Sequence, residues 1–315
     1  MDEKTADRLT LLRTRVESVF RGKRQAVELV LVALLARGHV LLEDVPGVGK
    51  TTLARALAGS LDLHFQRIQF TSDLLPADVV GVSVYSETRQ NFEFRPGPIF
   101  ANIVLADEIN RTTPRTQSSL LEAMNERQVT VDNQTFPLKE PFMVLATQNP
   151  LEFSGTYPLP ESQLDRFLLR LSLGYPDRTA EVDILRSYGH VDPCADLTPV
   201  LSRDEVLKLQ EQASAILVSD EVVHYLLDIV ERTRKSPQLE LGASTRGAMA
   251  LYRGIQARAL LLGRAYAVPQ DVKSLCTAVL AHRVMVKDHG DGGISAHRRA
   301  EAILEELLDR TPVPL

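Results

Sequence analysis

Cysteine is scarce in this 315-residue chain: only Cys194 and Cys276 occur, and they lie far apart. That excludes a disulfide framework and suits a reduced compartment. No run of Lys or Arg stands out, and the formal charge is a mild −5. A track along a nucleic-acid backbone is therefore not expected. Nowhere do about eighteen apolar residues run together, and the first residues, MDEKTADRLT, contain no apolar stretch. The expectation is a cytoplasmic protein with no membrane insertion. What the chain does have is 44% hydrophobic residues, enough for a sizeable core in one large and one smaller domain.

Residues Ala26 to Ala36, AVELVLVALLA, are apolar nearly all round, which predicts a buried helix; Gly38 then separates it from the strand-like VLLED. FQRIQF (65–70), IVLAD (103–107), FMVLAT (142–147) and FLLRL (167–171) have strand length, and most are separated by helical patterns. This alternation predicts an α/β domain with a mainly parallel sheet. VSVYSETRQNFEF (82–94) and VTVDNQTFPL (129–138) alternate around polar turns, as hairpins inserted into that core would. Beyond Gly174-Tyr175-Pro176 helical patterns dominate. The expected division is an α/β domain over 1–175 and a smaller all-helical domain over 176–315.

The strongest local signal is Asp44-Val45-Pro46-Gly47-Val48-Gly49-Lys50-Thr51, after the strand VLLE and before the helical pattern TTLARALAGSL. Backbone N–H groups at a helix N-terminus surround phosphate oxygens in such a loop, and the helix dipole favours the anion. The binding segment is Pro46, Gly47, Val48, Gly49, Lys50, Thr51 and Thr52. Gly47 and Gly49 let the backbone close around the phosphates of ATP, Lys50 reaches the β- and γ-phosphates, and the Thr51 hydroxyl binds Mg²⁺. The usual first glycine is replaced by Asp44, whose tolerance of left-handed backbone angles is expected to preserve the bend.

IVLADE (103–108) is an apolar strand ending in two carboxylates. Solvated acids often cap strands, so the pair alone says little; its place after the phosphate loop makes it informative. Asp107 is assigned to Mg²⁺ and Glu108 to the attacking water, since phosphoryl transfer depends on positioning and charge stabilisation. MVLAT (143–147) runs into Gln148-Asn149-Pro150. In a parallel sheet its end lies beside the acidic strand, where Asn149 would orient the water or meet the γ-phosphate.

These stretches resemble the MoxR group of AAA+ ATPases. The matching segments are GHVLLEDVPG (38–47), DLLPAD (73–78), FRPGP (94–98), DEINR (107–111), ATQNP (146–150) and LDRF (164–167), in the family's order; LGASTR (241–246) resembles the start of the lid helix. The resemblance implies an AAA+ P-loop core followed by a helical lid. It makes Asn149 the sensor-1 residue, brings Arg246 to the γ-phosphate of the same subunit, and makes Arg166 the arginine finger of a neighbouring site. Arg170, Arg111 and Arg115 are rivals for that last role. Phe20, Arg21 and Gly22 would lie near adenine, although FRGK departs from the family's common form. The two hairpins would face a ring's pore or upper surface.

The function so implied is Mg²⁺-dependent ATP hydrolysis in a homo-oligomeric, hexameric ring that remodels a protein client, of the kind carrying a von Willebrand factor A domain. Two alternatives come from other classes. One is a nucleic-acid motor, disfavoured because Arg89 is the only cation of its hairpin against Glu87 and Glu93. The other is a regulatory ATPase subunit of a chelatase-like complex.

Overall fold

The computed structural model describes residues 3–45, 47–149, 156–187, 192–287 and 294–314. Helices α1 (Glu3–Val19) and α2 (Arg24–Leu35) lead into strand β1 (Val40–Glu43). Then follow α3 (Lys50–Gly59), β2 (Phe65–Gln69), α4 (Pro76–Val80), the hairpin β3 (Gly81–Ser86) and β4 (Asn91–Pro96), and β5 (Ile103–Asp107). After α5 (Pro114–Glu126) come a second hairpin, β6 (Gln128–Val131) and β7 (Gln134–Pro137), then β8 (Met143–Gln148), α6 (Glu161–Leu164) and β9 (Leu169–Leu171). The rest comprises α7 (Arg178–Ser187), α8 (Arg203–Ser214), α9 (Asp220–Lys235), β10 (Leu239–Leu241), α10 (Thr245–Leu261), α11 (Pro269–Leu280), β11 (Met285–Val286) and α12 (Ile294–Asp309).

The main sheet runs in the order β2-β5-β8-β1-β9 and all its pairings are parallel. Strand alternation divides the core between its two faces. Val40, Leu42, Ile103, Leu105, Met143 and Leu145 face the cluster that includes α2 and α3. Leu41, Val104, Ala106, Val144 and Ala146 face Phe70, Leu120, Leu121 and Phe167. Because β5 and β8 are covered on both faces, their apolar runs are nearly continuous.

Helix α2 is apolar all round because it is enclosed. Besides the sheet cluster it meets the C-terminal helices: Gln210 Nε2 on α8 donates to Leu34 O at 2.7 Å, and Arg258 on α10 pairs with Glu28 at 2.9 Å. The lid therefore rests against the N-terminal helices. Among the described residues its regular structure is helical apart from a short antiparallel pairing of β10 with β11 and an isolated bridge between Leu217 and Tyr266. Both inserted hairpins form, and Phe94 of one stacks on Phe136 of the other with ring centroids 3.9 Å apart. Among the described residues no helix is long and apolar enough to cross a membrane.

Candidate nucleotide site

Parallel register brings Glu43, Gln69, Asp107 and Gln148 to one end of the sheet. This is the end where doubly wound sheets bind ligands, and β1, flanked by β8 and β9, feeds the phosphate loop there. Gly47 and Gly49 take left-handed angles, φ 88° and 91°. A Cβ at Gly49 would stand 3.0 Å from Phe20 Cε2, so glycine also admits the Phe20 ring. Lys50 opens α3 and its Nζ donates to Asp44 O at 2.8 Å. Burial pulls the Lys50 ammonium below the usual lysine range, against the upward pull of Asp107, Asp44 and Glu108. Thr51 and Thr52 are half-buried in the first turn of α3, and Val48 is buried. Pro46 lies outside the described residues.

Asp44 works differently from the expectation. It is not among the residues with positive φ; its buried carboxylate is instead a receptor for the chain leaving β9. Leu173 N and Gly174 N both donate to it, the latter at 3.1 Å, and Ser172 Oγ stands 3.3 Å away. A glycine there could not tie the phosphate loop to the segment that leads into the lid.

The two acids are held by residues that motif spacing does not reveal. Thr147 Oγ1 donates to Asp107 Oδ1 at 2.6 Å and accepts from Glu108 N at 2.9 Å. Arg67 on β2 places Nη2 2.6 Å from Asp107 Oδ2, and Gln69 Nε2 donates to Glu108 Oε2 at 2.8 Å. Arg111 Nε lies 3.4 Å from the same Glu108 oxygen. Arg67 and Gln69 have no sequence signal beyond the alternation of FQRIQF, which sends both to one face. Glu108 itself is left-handed, φ 57°, an angle that costs a non-glycine residue roughly 1–3 kcal/mol and is kept where surroundings enforce it. Asn149 is buried just beyond β8, beside this pair.

The donor set fits Mg-ATP: hydroxyl and carboxylate oxygens from Thr51 and Asp107 suit a hard cation, and the glycine backbone with Lys50 suits phosphates. Beside the loop is a cavity of about 890 Å³, lined by Phe20, Arg21, Val48, Ile184, Pro193 and Leu197 among others. Its size and apolar walls suit a nucleoside. Gly22 abuts Ala180 of α7 at its margin, and an Arg55–Asp192 ion pair of 2.6 Å joins α3 to the segment after α7.

With this geometry in view, similarity to known proteins decides the family. Residues 39–169 match the model described as ATPase family associated with various cellular activities (AAA), and 231–307 match the AAA lid domain. The chain is 43% identical to Chaperone MoxR1 of Mycobacterium tuberculosis over 86% of this chain and 74% of that protein. It belongs to the MoxR family of AAA+ ATPases. It is also 50% identical to the uncharacterized protein YeaC of Bacillus subtilis, over 95% of this chain and 93% of YeaC. A crystal structure of a proposed ATPase from Cytophaga hutchinsonii superposes with a TM-score of 0.89 at 35% identity, covering 99% and 96% of the two chains. AAA+ membership carries nucleotide binding with it.

In this MoxR-family chain Arg67 and Arg111 lie beside the acids, whereas Arg166 and Arg246 stand apart from them. Arg166 precedes β9, which pairs Leu169 with Val40 at the start of β1, whereas the phosphate loop follows the end of β1. Arg166 Nη1 donates to Leu121 O at 2.5 Å. Arg246, at the start of α10, puts Nη1 3.5 Å from Asp165 Oδ2. It therefore lies beside Arg166, and the expectation that it reaches the γ-phosphate of its own chain is corrected. The lid packs on α1 and α2 and on the approach to β9, and β1 alone separates that end from the loop by roughly 10 Å. Of the rivals, Arg170 is engaged in a mostly buried pair with Glu43, and Arg111 is engaged with Glu108. Arg115 is exposed on α5.

Proposed function

We propose that this protein binds Mg-ATP at the C-terminal end of its sheet and hydrolyses it in a hexameric ring of identical subunits. The work done is remodelling of a protein client, of the class bearing a von Willebrand factor A domain, in the cytoplasm. Residues 1–175 act as the nucleotide-binding domain and 176–315 as the lid. The observation that carries the reading is the placement of two arginines: Asp107 and Glu108 sit at one end of the sheet, Arg166 and Arg246 at the other. Within one copy they stand apart, and the face of a second copy would bring Arg166 and Arg246 to the site.

In this mechanism the loop N–H groups and Lys50 hold the phosphates, and Thr51 with Asp107 holds the metal. Bound Mg²⁺ would supply charge neutralisation to the phosphates. Glu108, held through Oε2 by Gln69, accepts a proton from the attacking water, which Asn149 orients. Arg166 and Arg246 of the adjacent copy stabilise the charge that develops on the transferred phosphoryl group. Phe20 and Arg21 border the base. The chaperone designation of MoxR1 supports a protein client. A nucleic-acid motor has less support, because Arg89 is paired with Glu93 at 2.9 Å.

The test is the Mg-ATPase rate per subunit across a dilution series, with Glu108→Gln as the blank and sedimentation reporting assembly. The rate should rise steeply as the ring forms. A constant rate through the transition from monomer to assembly removes the shared site.

A further inference from the structure

The segment that presents Arg166 has its N–H groups bonded back to α6 and to His39 O, but its carbonyls have neither helix nor strand to satisfy them. Residues 165–168 lie between α6 and β9, and their buried carbonyls must find partners elsewhere. One lid side chain provides most of them. Arg283 ends the turn Ala281–Arg283 after α11, and its side chain is 3% exposed. Its Nε donates to Asp165 Oδ1 at 2.7 Å, and its Nη2 donates to Asp165 O at 3.1 Å and Phe167 O at 2.6 Å. Its Nη1 donates to Leu168 O at 3.2 Å and to Val279 O on its own helix. The guanidinium thereby reaches Asp165, Phe167 and Leu168, on either side of Arg166, and its Nη1 also stands 2.8 Å from His282 Nε2.

The surroundings fit the same purpose. Gly247, next to Arg246 on α10, leaves the room, since a Cβ there would come within 3.2 Å of Arg283 Cδ. Asp165 is shared between Arg283 and Arg246, so a single core carboxylate joins two lid arginines. Burial lowers the Arg283 pKa to about 10 while Asp165 pulls it upward, which leaves it charged near neutrality.

We propose that Arg283 is a positioning residue for Arg166: it clamps the backbone on both sides of the finger to the lid, so the lid's attitude sets where the finger points. The inference rests on the reading above, in which Arg166 serves a neighbouring copy. A lid that turns with the state of one nucleotide then moves the arginine offered to the next. Lysine cannot replace Arg283, because a point charge with three donors cannot serve five divergent acceptors.

The experiment uses the full chain with Arg283→Lys, Asp165→Asn and Arg166→Ala, each alone and each mixed with Lys50→Ala subunits. Arg283→Lys should bind ATP as the parent does yet lose hydrolysis toward the roughly 10³- to 10⁵-fold loss of a missing finger. Lys50→Ala subunits, whose fingers are intact, should restore its rate. Parental turnover in Arg283→Lys overturns the proposal. So does a loss that Lys50→Ala fails to rescue while Arg166→Ala is rescued, since the defect then lies in the variant's own site. If Arg166→Ala is itself not rescued, the shared-site reading fails and takes this inference with it. Should melting show that Arg283→Lys does not fold, Asp165→Asn carries the same expectation, because it keeps the shape and removes the ion pair.

Discussion

The two ends of the central sheet are assembled in opposite ways. At the C-terminal end, the loop 44–51, the pair Asp107-Glu108 and Asn149 each follow directly from a strand, so parallel pairing alone gathers them. At the N-terminal end, Arg166 comes from a turn before β9, Arg246 from α10 and Arg283 from the turn after α11, and only the docking of the lid makes them neighbours. One end is a set of short motifs; the other is a product of packing.

The sharpest way to break this comparison is at the arginine end. Arg166→Ala should retain nucleotide affinity and lose about 10³- to 10⁵-fold in assembled turnover. Equal loss of binding, read by nucleotide titration, would mean that the two ends are not functionally separate. Next in size is an effect of pH on stability. His39, at the start of β1, accepts from Val144 N through Nδ1 at 3.0 Å and reaches Met124 O through Nε2 at 3.1 Å, an arrangement for the neutral ring. Burial lowers its pKa to about 4. The unfolded chain takes up the proton first, so stability is intact above pH about 6.5 and falls between there and about 4, by roughly 3 kcal/mol. Denaturant unfolding of the parent beside His39→Gln tests this; identical pH slopes would contradict it. The smallest effect belongs to the phosphate end. Asp44→Gly installs the usual first glycine of a phosphate loop, yet it should cost about 1–3 kcal/mol, because the N–H groups of Leu173 and Gly174 lose their acceptor. Nucleotide binding should persist, and an unchanged melting temperature would refute this role for Asp44.

How far the sequence could be read follows the same division. The five core strands and both hairpins are legible because burial and the pleat impose a pattern on neighbouring residues. The phosphate loop is legible because glycine is required where φ is positive. Asp44 misleads for the same reason: a short polar residue in a loop suggests backbone tolerance, while its actual partners lie at 172–174, more than a hundred residues on. Arg67 and Gln69 are invisible as site residues until β2 is placed beside β5. Arg246 carries the family's pattern, but pattern does not state which end of the sheet the lid covers.

The sequence by itself determined the chemistry available to this protein: a nucleotide loop, two acids in tandem, a polar sensor and a supply of arginines, each within a stretch short enough for local geometry to govern. Tertiary structure decided which of these groups can meet. The direction of the sheet and the seat of the lid on α1 and α2 are set by the burial of apolar faces contributed from across the chain. That packing is a collective property, and no single motif records it.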